Sequence, residues 1–331
     1  MSPNQSAGVP FSFELYPPRS APSAALLHET IDRLAAAGPQ FISVTYGAGG
    51  AVGGRSLEVL RRIRATTDVE PLAHLTCVGN TYAGAAALIR EFLDAGITSF
   101  LALRGDPPEG ASPDAASPDA ASPDAASRST VKVGDLETSA QLVQLIHRVQ
   151  AERAPYTEAG IPGFPRAARV DARPHVQIAV AAFPNGHPRS RHPRQHIDAL
   201  LAKQAAGATF AITQLFFHAD DYLGFVARAR EAGVTIPILP GIMPITSASR
   251  LRRVLELTEE ELPSELSIAL EVEPTADGQR ELGIAYAARL AREVVAGGAP
   301  GVHLYAFNRH DTVLAVLRDA DIPTREKETA R

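Results

Sequence analysis

The feature that most constrains this chain is a regular alternation of short β-type runs with longer runs of helical spacing. Eight runs rich in Val, Ile, Leu, Phe and Tyr occur, and each is followed by a segment with helical periodicity. The predicted strands are 11–16, 41–46, 71–77, 99–104, 176–183, 210–217, 236–239 and 301–305. Such alternation is typical of a parallel sheet, and eight repeats in one chain predict an α/β fold, a closed (β/α)8 TIM barrel.

Helical segments fill the intervals between these strands. The predicted helices are 23–36, 55–66, 81–95, 138–150, 194–206, 220–231, 247–258, 277–297 and 311–318. Two of them, 247–258 and 277–297, lie between the last two strands, which predicts one extra helical region before the last strand. An open doubly wound sheet is the alternative fold, and it requires a G-x-G-x-x-G fingerprint at an early helix. The glycine-rich run YGAGGAVGGR at 46–55 lacks that spacing, so the barrel is favoured.

Low-complexity and turn-rich segments set the predicted domain organisation. We predict a single catalytic domain over residues 1–331, with flexible tails at 1–10 and 319–331. Residues 108–130 contain an ASPDA repeat without aromatic residues, which predicts a disordered loop after the fourth strand. Residues 151–174 are rich in Pro, Gly and Arg and predict a long surface loop before the fifth strand.

Charge and cysteine content exclude several classes of function. The net charge is −5 with a pI near 6.1, so the chain lacks the basic excess typical of nucleic-acid-binding proteins. Cys77 is the only cysteine, which excludes an intrachain disulfide and a cysteine-rich zinc site. No signal-peptide pattern or membrane-length apolar run is present. We expect a cytoplasmic protein with no nucleic-acid, membrane or metal partner.

Polar side chains stand near the ends of most predicted strands, where this fold places its chemistry. In the first strand, alternation puts Ser12, Glu14 and Tyr16 on the side that faces the barrel lumen. Glu14 lies among aromatic residues, which predicts a desolvated carboxyl with a raised pKa that suits a general acid. Asp106, beside Arg104, should instead stay ionised, and two carboxyl groups in different surroundings can take different roles.

Several segments together resemble the bacterial, single-catalytic-domain type of methylenetetrahydrofolate reductase, in family order over roughly residues 11–318. They are SFELYPPR, FISVTYGAGG, AHLTC, ALRGDPP, AVAAFPNGHP, LLAKQAAGATFAITQLFF, PGIMPITS and GVHLYAFNR. The resemblance implies a TIM barrel that reduces 5,10-methylenetetrahydrofolate to 5-methyltetrahydrofolate with NADH or NADPH, usually through FAD. It thereby implies a folate substrate, a nicotinamide co-substrate and a role in one-carbon metabolism and methionine supply. Relatives vary in oligomeric state, so a homo-oligomer stays open.

The resemblance also implies a role for individual positions. Glu14 matches the general acid that assists opening of the methylene bridge, and Asp106 matches the aspartate that binds the pterin and tunes the flavin. Gln214 matches a glutamine that contacts folate and nicotinamide in turn. Thr45 falls on a nicotinamide-binding position and Arg309 on a folate-binding position. The implied flavin-binding positions are Tyr46, Ala48, His74, Arg104, Gly105, Asp106, Phe183, His187 and Lys203.

Departures from the family pattern keep alternatives open. Thr138 and Gln141 stand where relatives carry a tyrosine and an acidic residue, His196 replaces an aspartate, and Ala248 replaces an aromatic residue. A flavin-independent reductase that passes hydride directly from NADH to the folate is therefore an alternative. A folate- or flavin-binding barrel without turnover is less favoured, because it has little use for a proton donor. An aldolase would need a lysine near a strand end, whereas Lys203 lies in a predicted helix.

Overall fold

A computed structural model describes most of the chain. The described residues are 8–18, 20–46, 53–78, 80–105, 136–153, 157–161, 164–170, 176–187, 190, 192 and 194–325. The ASPDA repeat lies outside them, and so do Ala48 and Asp106. The predicted disorder at 108–130 and the predicted roles of these two residues therefore remain predictions.

Regular elements alternate along the described residues as the sequence predicts. The strands are β1 (Phe11–Leu15), β2 (Phe41–Val44), β3 (Glu70–Thr76), β4 (Ser99–Leu103), β5 (Thr157–Ile161), β6 (Phe164–Val170), β7 (Gln177–Ala182), β8 (Phe210–Thr213), β9 (Ile238–Leu239), β10 (Gly241–Ile242) and β11 (Val302–Tyr305). The helices are α1 (Ala21–Ala36), α2 (Gly53–Thr66), α3 (Tyr82–Asp94), α4 (Ser139–Arg153), α5 (Gln195–Ala205), α6 (Ala219–Glu231), α7 (Ala248–Thr258), α8 (Ser264–Val272), α9 (Ala276–Ala296) and α10 (His310–Asp319).

The main sheet is parallel and closes on itself. Its strand order is β10-β11-β1-β2-β3-β4-β7-β8-β9. The two strands at the ends of this order, β9 and β10, flank Pro240, which has no N–H group and interrupts the ladder. The carbonyl of Pro240 accepts a hydrogen bond from the His303 amide at 2.9 Å, which joins the interrupted strand to β11. The predicted (β/α)8 barrel is confirmed.

Three sequence-based expectations need correction. The extra region before the last strand contains α8 as well, which was missed because its exposed face carries Ile268 and Val272 and blurs the helical periodicity. The predicted loop at 151–174 contains the antiparallel pair β5–β6. The tail predicted from 319 begins too early, because Ile322 is buried and the Arg325 amide donates a hydrogen bond to the Ala37 carbonyl.

Apolar side chains fill the lower lumen and seal its floor. A separate buried cluster lies inside the barrel toward the N-terminal ends of the strands. It comprises Phe41, Leu72, Leu101, Ala179, Ile212 and Leu239. The larger core lies between the strands and the surrounding helices, and it takes the alternate side chains of each strand. Glu14 and His74 lie above this layer, toward the C-terminal ends of their strands.

Side-chain caps fix where several helices begin. Ser20, Thr81, Ser247 and Thr275 each accept a hydrogen bond from a backbone N–H in the first turn of the helix that follows. Such caps satisfy donors that a helix end leaves unpaired. No helix within the described ranges combines the length and apolar character needed to cross a bilayer.

Candidate active site

The upper lumen holds a carboxylate between two buried histidines. Oε2 of Glu14, near the end of β1, lies 3.6 Å from Nε2 of His74 in β3 and 3.7 Å from Nε2 of His303 in β11. The solvent-exposed fraction is 5% for His74 and 0% for His303. Neither Nε2 atom has a hydrogen-bond partner within the described part of the chain. Since buried polar atoms are normally satisfied, this cluster is suited to a ligand atom and to proton exchange.

His303 is a site residue that the sequence reasoning did not select. Its Nδ1 lies 2.8 Å from Oγ of Ser12, and its ring stacks on Phe41 with 5.7 Å between the ring centroids. The ring of Tyr305 meets it edge-on at 5.4 Å. These contacts fix the orientation of the imidazole toward Glu14. The signal was present in the sequence, because His303 alternates with apolar residues in GVHLY as Glu14 does in FSFELY.

The surroundings of Glu14 shift its pKa in the direction opposite to the one predicted from the sequence. Burial raises the pKa of Glu14, but the charge of His74 and the nearby imidazole of His303 together lower it further, so the pKa lies below its usual value. The predicted upward shift is therefore wrong for the protein alone, because it considered the aromatic neighbours and not the two histidines. Glu14 is ionised at neutral pH.

His74 is shifted toward its neutral form. Burial lowers its pKa, Glu14 raises it and His303 lowers it, with a net downward shift. The His74 charge that acts on Glu14 therefore develops in acid, where the carboxyl group titrates. At neutral pH the cluster holds an ionised carboxylate beside a neutral His74. Glu14 can act as an acid only after it has taken up a proton.

The residues predicted to contact folate and nicotinamide lie around the same mouth. Thr45 and Gln214 are half-buried and directly follow β2 and β8. Oε1 of Gln214 accepts a hydrogen bond from the Leu215 amide at 2.9 Å. Tyr305, the register partner of Glu14, donates to the carbonyl of Thr213 at 2.8 Å and thereby connects the β1 side of the lumen to the residue before Gln214. Arg309 is farther out, exposed at the start of α10.

A sharp turn after β4 presents Arg104. Gly105 has a φ of +82°, and a Cβ atom there would lie 3.2 Å from Cβ of Thr76 and 3.3 Å from Cβ of Val78. Glycine is favoured here both by the left-handed backbone and by the close packing. The chain therefore turns at the rim of the barrel and leaves the Arg104 side chain exposed.

Several predicted flavin-binding residues form a second group beside β7. The rings of Phe183 and His187 meet edge-on with 4.8 Å between centroids. Lys203 lies in α5, as the sequence predicts, but its Nζ reaches inward and donates to the Ala181 carbonyl at 2.8 Å. The same Nζ is 5.9 Å from the centroid of Phe183. Because β7 pairs with β4, this group lies next to the strand that carries Arg104. Tyr46, half-buried after β2, and His74 lie on the other side of β4.

Lys203 gives a testable dependence of stability on pH. Burial lowers the pKa of this amine to about 8. Below pH 8 both folded and unfolded chains hold the proton, and folding carries the full cost of burying the charge. The pKa of lysine in the unfolded chain is about 10.4. Between pH 8 and this value only the unfolded chain keeps the proton, so the free energy of unfolding rises with pH. We expect Lys203→Met to be more stable than wild type near pH 7, by up to about 3 kcal/mol.

Urea unfolding of both proteins at pH 7, 8.5 and 10 checks this expectation. The difference between them cancels the titration of all other groups and should shrink toward zero by pH 10. A difference that stays constant over this range would show that Lys203 is not a buried cation.

A cavity of about 860 Å³ opens between the loops after β7, β8 and α7. Asn185 is among its lining residues, and its amide donates to Asp221 at 3.2 Å and to Glu260 at 2.7 Å. His196 and Arg228 line another part of the wall, and neither ring nitrogen of His196 has a hydrogen-bond partner in the described ranges. The cavity also includes His187, so it continues the second group of predicted flavin-binding residues. Its volume is within the range of small-molecule sites.

Comparison with known proteins identifies the family of the chain. A model of the family described as methylenetetrahydrofolate reductase matches residues 3–321. The 5,10-methylenetetrahydrofolate reductase of Salmonella typhimurium is 29% identical over 306 residues, which cover 92% of this chain and 88% of that protein. Methylenetetrahydrofolate reductase (NADH) 1 of Zea mays is 28% identical over 319 residues, covering 96% of this chain and 49% of that protein. The chain thus spans about half the length of the plant relatives it matches.

A solved structure supports the fold independently. A protein from Clostridium thermocellum, described as binding two copies of 5-methyl-5,6,7,8-tetrahydrofolic acid, aligns with a TM-score of 0.59 over 95% of both chains. The sequence identity is 11%, so this similarity concerns the barrel alone.

Proposed function

Because this chain belongs to the methylenetetrahydrofolate reductase family, we propose that it reduces 5,10-methylenetetrahydrofolate to 5-methyltetrahydrofolate with a reduced nicotinamide as the source of hydride. The observation that carries the proposal is the buried Glu14 between His74 and His303 at the mouth of the barrel. This reaction needs one proton and one hydride. A carboxyl group with two neighbouring imidazoles supplies the proton, and a nicotinamide supplies the hydride.

The proton comes from Glu14. Binding of the pterin displaces water from the lumen and makes the carboxylate less favourable, which raises its pKa toward the value a proton donor needs. Glu14 then protonates one bridging nitrogen of the substrate, and the bond between that nitrogen and the methylene carbon breaks. The other nitrogen forms an iminium with this carbon, and hydride addition gives the methyl group. Ser12 and Phe41 hold His303 beside Glu14, so His303 is a positioning residue.

FAD is the cofactor that we propose for hydride transfer, and the residues beside β4 and β7 fit its diphosphate. Burial is the one cause behind the lowered pKa of Lys203, and no carboxylate among the described residues offsets its charge. Arg104, exposed at the end of the neighbouring strand, adds a guanidinium fork that matches phosphate oxygens. Phe183 and His187 adjoin Lys203, where they would flank the cofactor. Bound FAD would accept hydride from the nicotinamide and pass it to the folate.

A flavin-independent reductase is the second candidate, and the start of α4 favours it. Oε1 of Gln141 accepts from the amides of Glu137 and Thr138, and Oγ1 of Thr138 accepts from the Gln141 amide at 3.3 Å. These two side chains thus cap a helix, and this use engages their polar atoms. In that mechanism the same lumen would bring nicotinamide and folate together, with Glu14 as the acid.

An absorbance spectrum of the purified protein separates the two candidates. We expect flavin absorbance with about one FAD released per chain on heating, and NADH or NADPH oxidation by an artificial acceptor without folate. A colourless protein that FAD does not activate, yet oxidises NADH when methylenetetrahydrofolate is present, would establish direct hydride transfer. Absence of folate-dependent oxidation with either nicotinamide would contradict the proposed activity.

A further inference from the structure

A second cavity lies at the opposite end of the barrel from Glu14, where the strands begin. Its volume is about 380 Å³, at the lower end of the range for small-molecule sites. The first residues of β2, β3, β4, β7 and β8 all contribute to its lining. Glu70 is the first residue of β3, and His74 follows four residues later, about 13 Å farther along the strand. The cavity is therefore separate from the cluster around Glu14.

Glu70 brings a negative charge to this cavity without a basic partner among the described residues. Alternation along β3 puts it on the lumen side, as it does Leu72 and His74. Oε1 of Glu70 accepts hydrogen bonds from the hydroxyls of Ser99 at 2.8 Å and Thr98 at 3.4 Å. Within the described ranges Oε2 accepts no hydrogen bond, and no Lys, Arg or His side chain forms a salt bridge with this carboxylate. A half-buried carboxylate without a counterion favours a cationic ligand.

Aromatic and aliphatic side chains form the wall beside this carboxylate. Phe41 is the register partner of Glu70 in the neighbouring strand. The centroid of its ring lies 5.6 Å from that of Phe210, which is half-buried. Leu72 and Leu239 belong to the apolar layer that seals the floor of the lumen, so the cavity lies beneath this layer. Such a surface suits a flat apolar group, and aromatic faces also attract cations.

We propose that this cavity binds a small organic cation with a planar apolar body, such as an arylamidine or an arylguanidine. A charged N–H group of the ligand would donate to Oε2 of Glu70, and its ring would lie against Phe41 and Phe210. An anion is disfavoured by the charge of Glu70. A metal ion lacks ligands, since the described residues contain no group of three or more His, Cys, Asp or Glu side chains that could hold one. This inference does not depend on the proposed reductase function.

A ligand-observed NMR titration of the full chain with benzamidine tests the proposal. We expect benzamidine to bind with a Kd of about 1 mM, and benzamide and benzoate, which carry the same ring without the positive charge, to bind at least about tenfold more weakly. Glu70→Gln should weaken benzamidine binding about tenfold, because the charged partner of the ligand is lost. Glu58→Gln, a matched control at an exposed position of α2, should not change it. Equal affinity of wild type and Glu70→Gln for benzamidine would overturn the proposal.

Substitutions at Gln177 keep the proposal testable if Glu70→Gln does not fold. Gln177 is exposed, lines the cavity and is the register partner of Ser99, whose hydroxyl donates to Glu70. The added negative charge in Gln177→Glu should tighten benzamidine binding about threefold, and the positive charge in Gln177→Lys should weaken it about threefold. Identical affinities of these two variants for benzamidine would contradict a cation site beside Glu70.

The carboxylate of Glu14 also faces the lumen, so its share of benzamidine binding is measured separately. Glu14→Gln should bind benzamidine with the wild-type Kd, because the apolar layer lies between Glu14 and the cavity. Loss of binding in Glu14→Gln, with binding retained in Glu70→Gln, would place the cation at the catalytic end of the barrel and overturn the proposal. Benzamidine binding that depends on Glu70, in a protein without folate reduction, would uphold this site and reject the reductase function alone.

Discussion

Replacing Glu14 by Gln is expected to lower the rate of folate reduction by about 10²- to 10⁴-fold, the range for loss of a general acid. Glutamine keeps the size of the side chain and its position between His74 and His303, but it cannot deliver a proton at neutral pH. In the proposed flavin route, hydride transfer from nicotinamide to flavin does not need this proton, so NADH oxidation with an artificial acceptor should be largely retained. Single-turnover measurement of both half-reactions checks the expectation.

Stability measurements test whether Glu14→Gln loses activity because it unfolds. The pKa of Glu14 is lowered in the native state, so its ionised form stabilises the fold above the unfolded-state pKa. This contribution is lost as pH falls through the lowered native value. Glu14→Gln should therefore lose this part of the acid sensitivity and remain folded at neutral pH. Glu271→Gln, at an exposed position of α8, is the control that should alter neither activity nor acid sensitivity.

Near-wild-type folate reduction by Glu14→Gln would remove Glu14 from the mechanism. The proton would then have to come from a different group, and the two histidines would be the next candidates. A proportional loss of both half-reactions would point instead to a distorted site. The two outcomes differ in whether flavin reduction survives.

Local patterns predicted the barrel and the inward position of Glu14, but not what surrounds it. Alternation within five residues of β1 is enough to assign a side chain to the lumen. The contact that orients His303 joins positions 291 residues apart, and no window of sequence contains both. The net pKa shift of Glu14 depends on that partner. Its sign therefore could not be inferred from the aromatic neighbours alone.

The position of the Lys203 amine could not be inferred from local sequence either. The sequence places it correctly in a helix, and that assignment argued against an aldolase lysine at a strand end. Its four-carbon stem carries the amine back to the Ala181 carbonyl of β7. Helical register gives the position of a Cα atom, whereas a long side chain can carry its charged group into the neighbouring layer. The helix assignment therefore did not locate the amine.

The second large effect is expected at Gly283, in the middle of α9. Alanine normally stabilises a helix interior relative to glycine by about 1 kcal/mol. Here a Cβ atom would overlap the carbonyl oxygen of Ile245 and lie 2.6 Å from its carbon. Both are backbone atoms of the segment after β10, so no side-chain rotation relieves the clash. We expect Gly283→Ala to destabilise the protein by about 2–4 kcal/mol and to lower its Tm by roughly 3–6 °C.

Gly224→Ala is the matched control, because Gly224 also lies within a helix. A Cβ atom there would meet Nη1 of Arg228 at 3.2 Å, the end of a flexible side chain that can move away. This variant should be as stable as wild type or more so. Equal Tm values for Gly283→Ala and wild type would mean that α9 is not seated against residues 245–246 as described.

Gly283→Ala also tests what α9 supports. Residues 245–247 lead directly into α7, and Oε1 of Gln279 in α9 accepts from the Ala248 amide at 3.3 Å. A shift of α9 would therefore move the Ser247 cap at the start of α7, but not β1, which carries Glu14. Below its melting transition, this variant should keep a kcat near the wild-type value. A loss of kcat below the melting transition would mean that α9 supports the proton-donating cluster as well as the rim of the barrel.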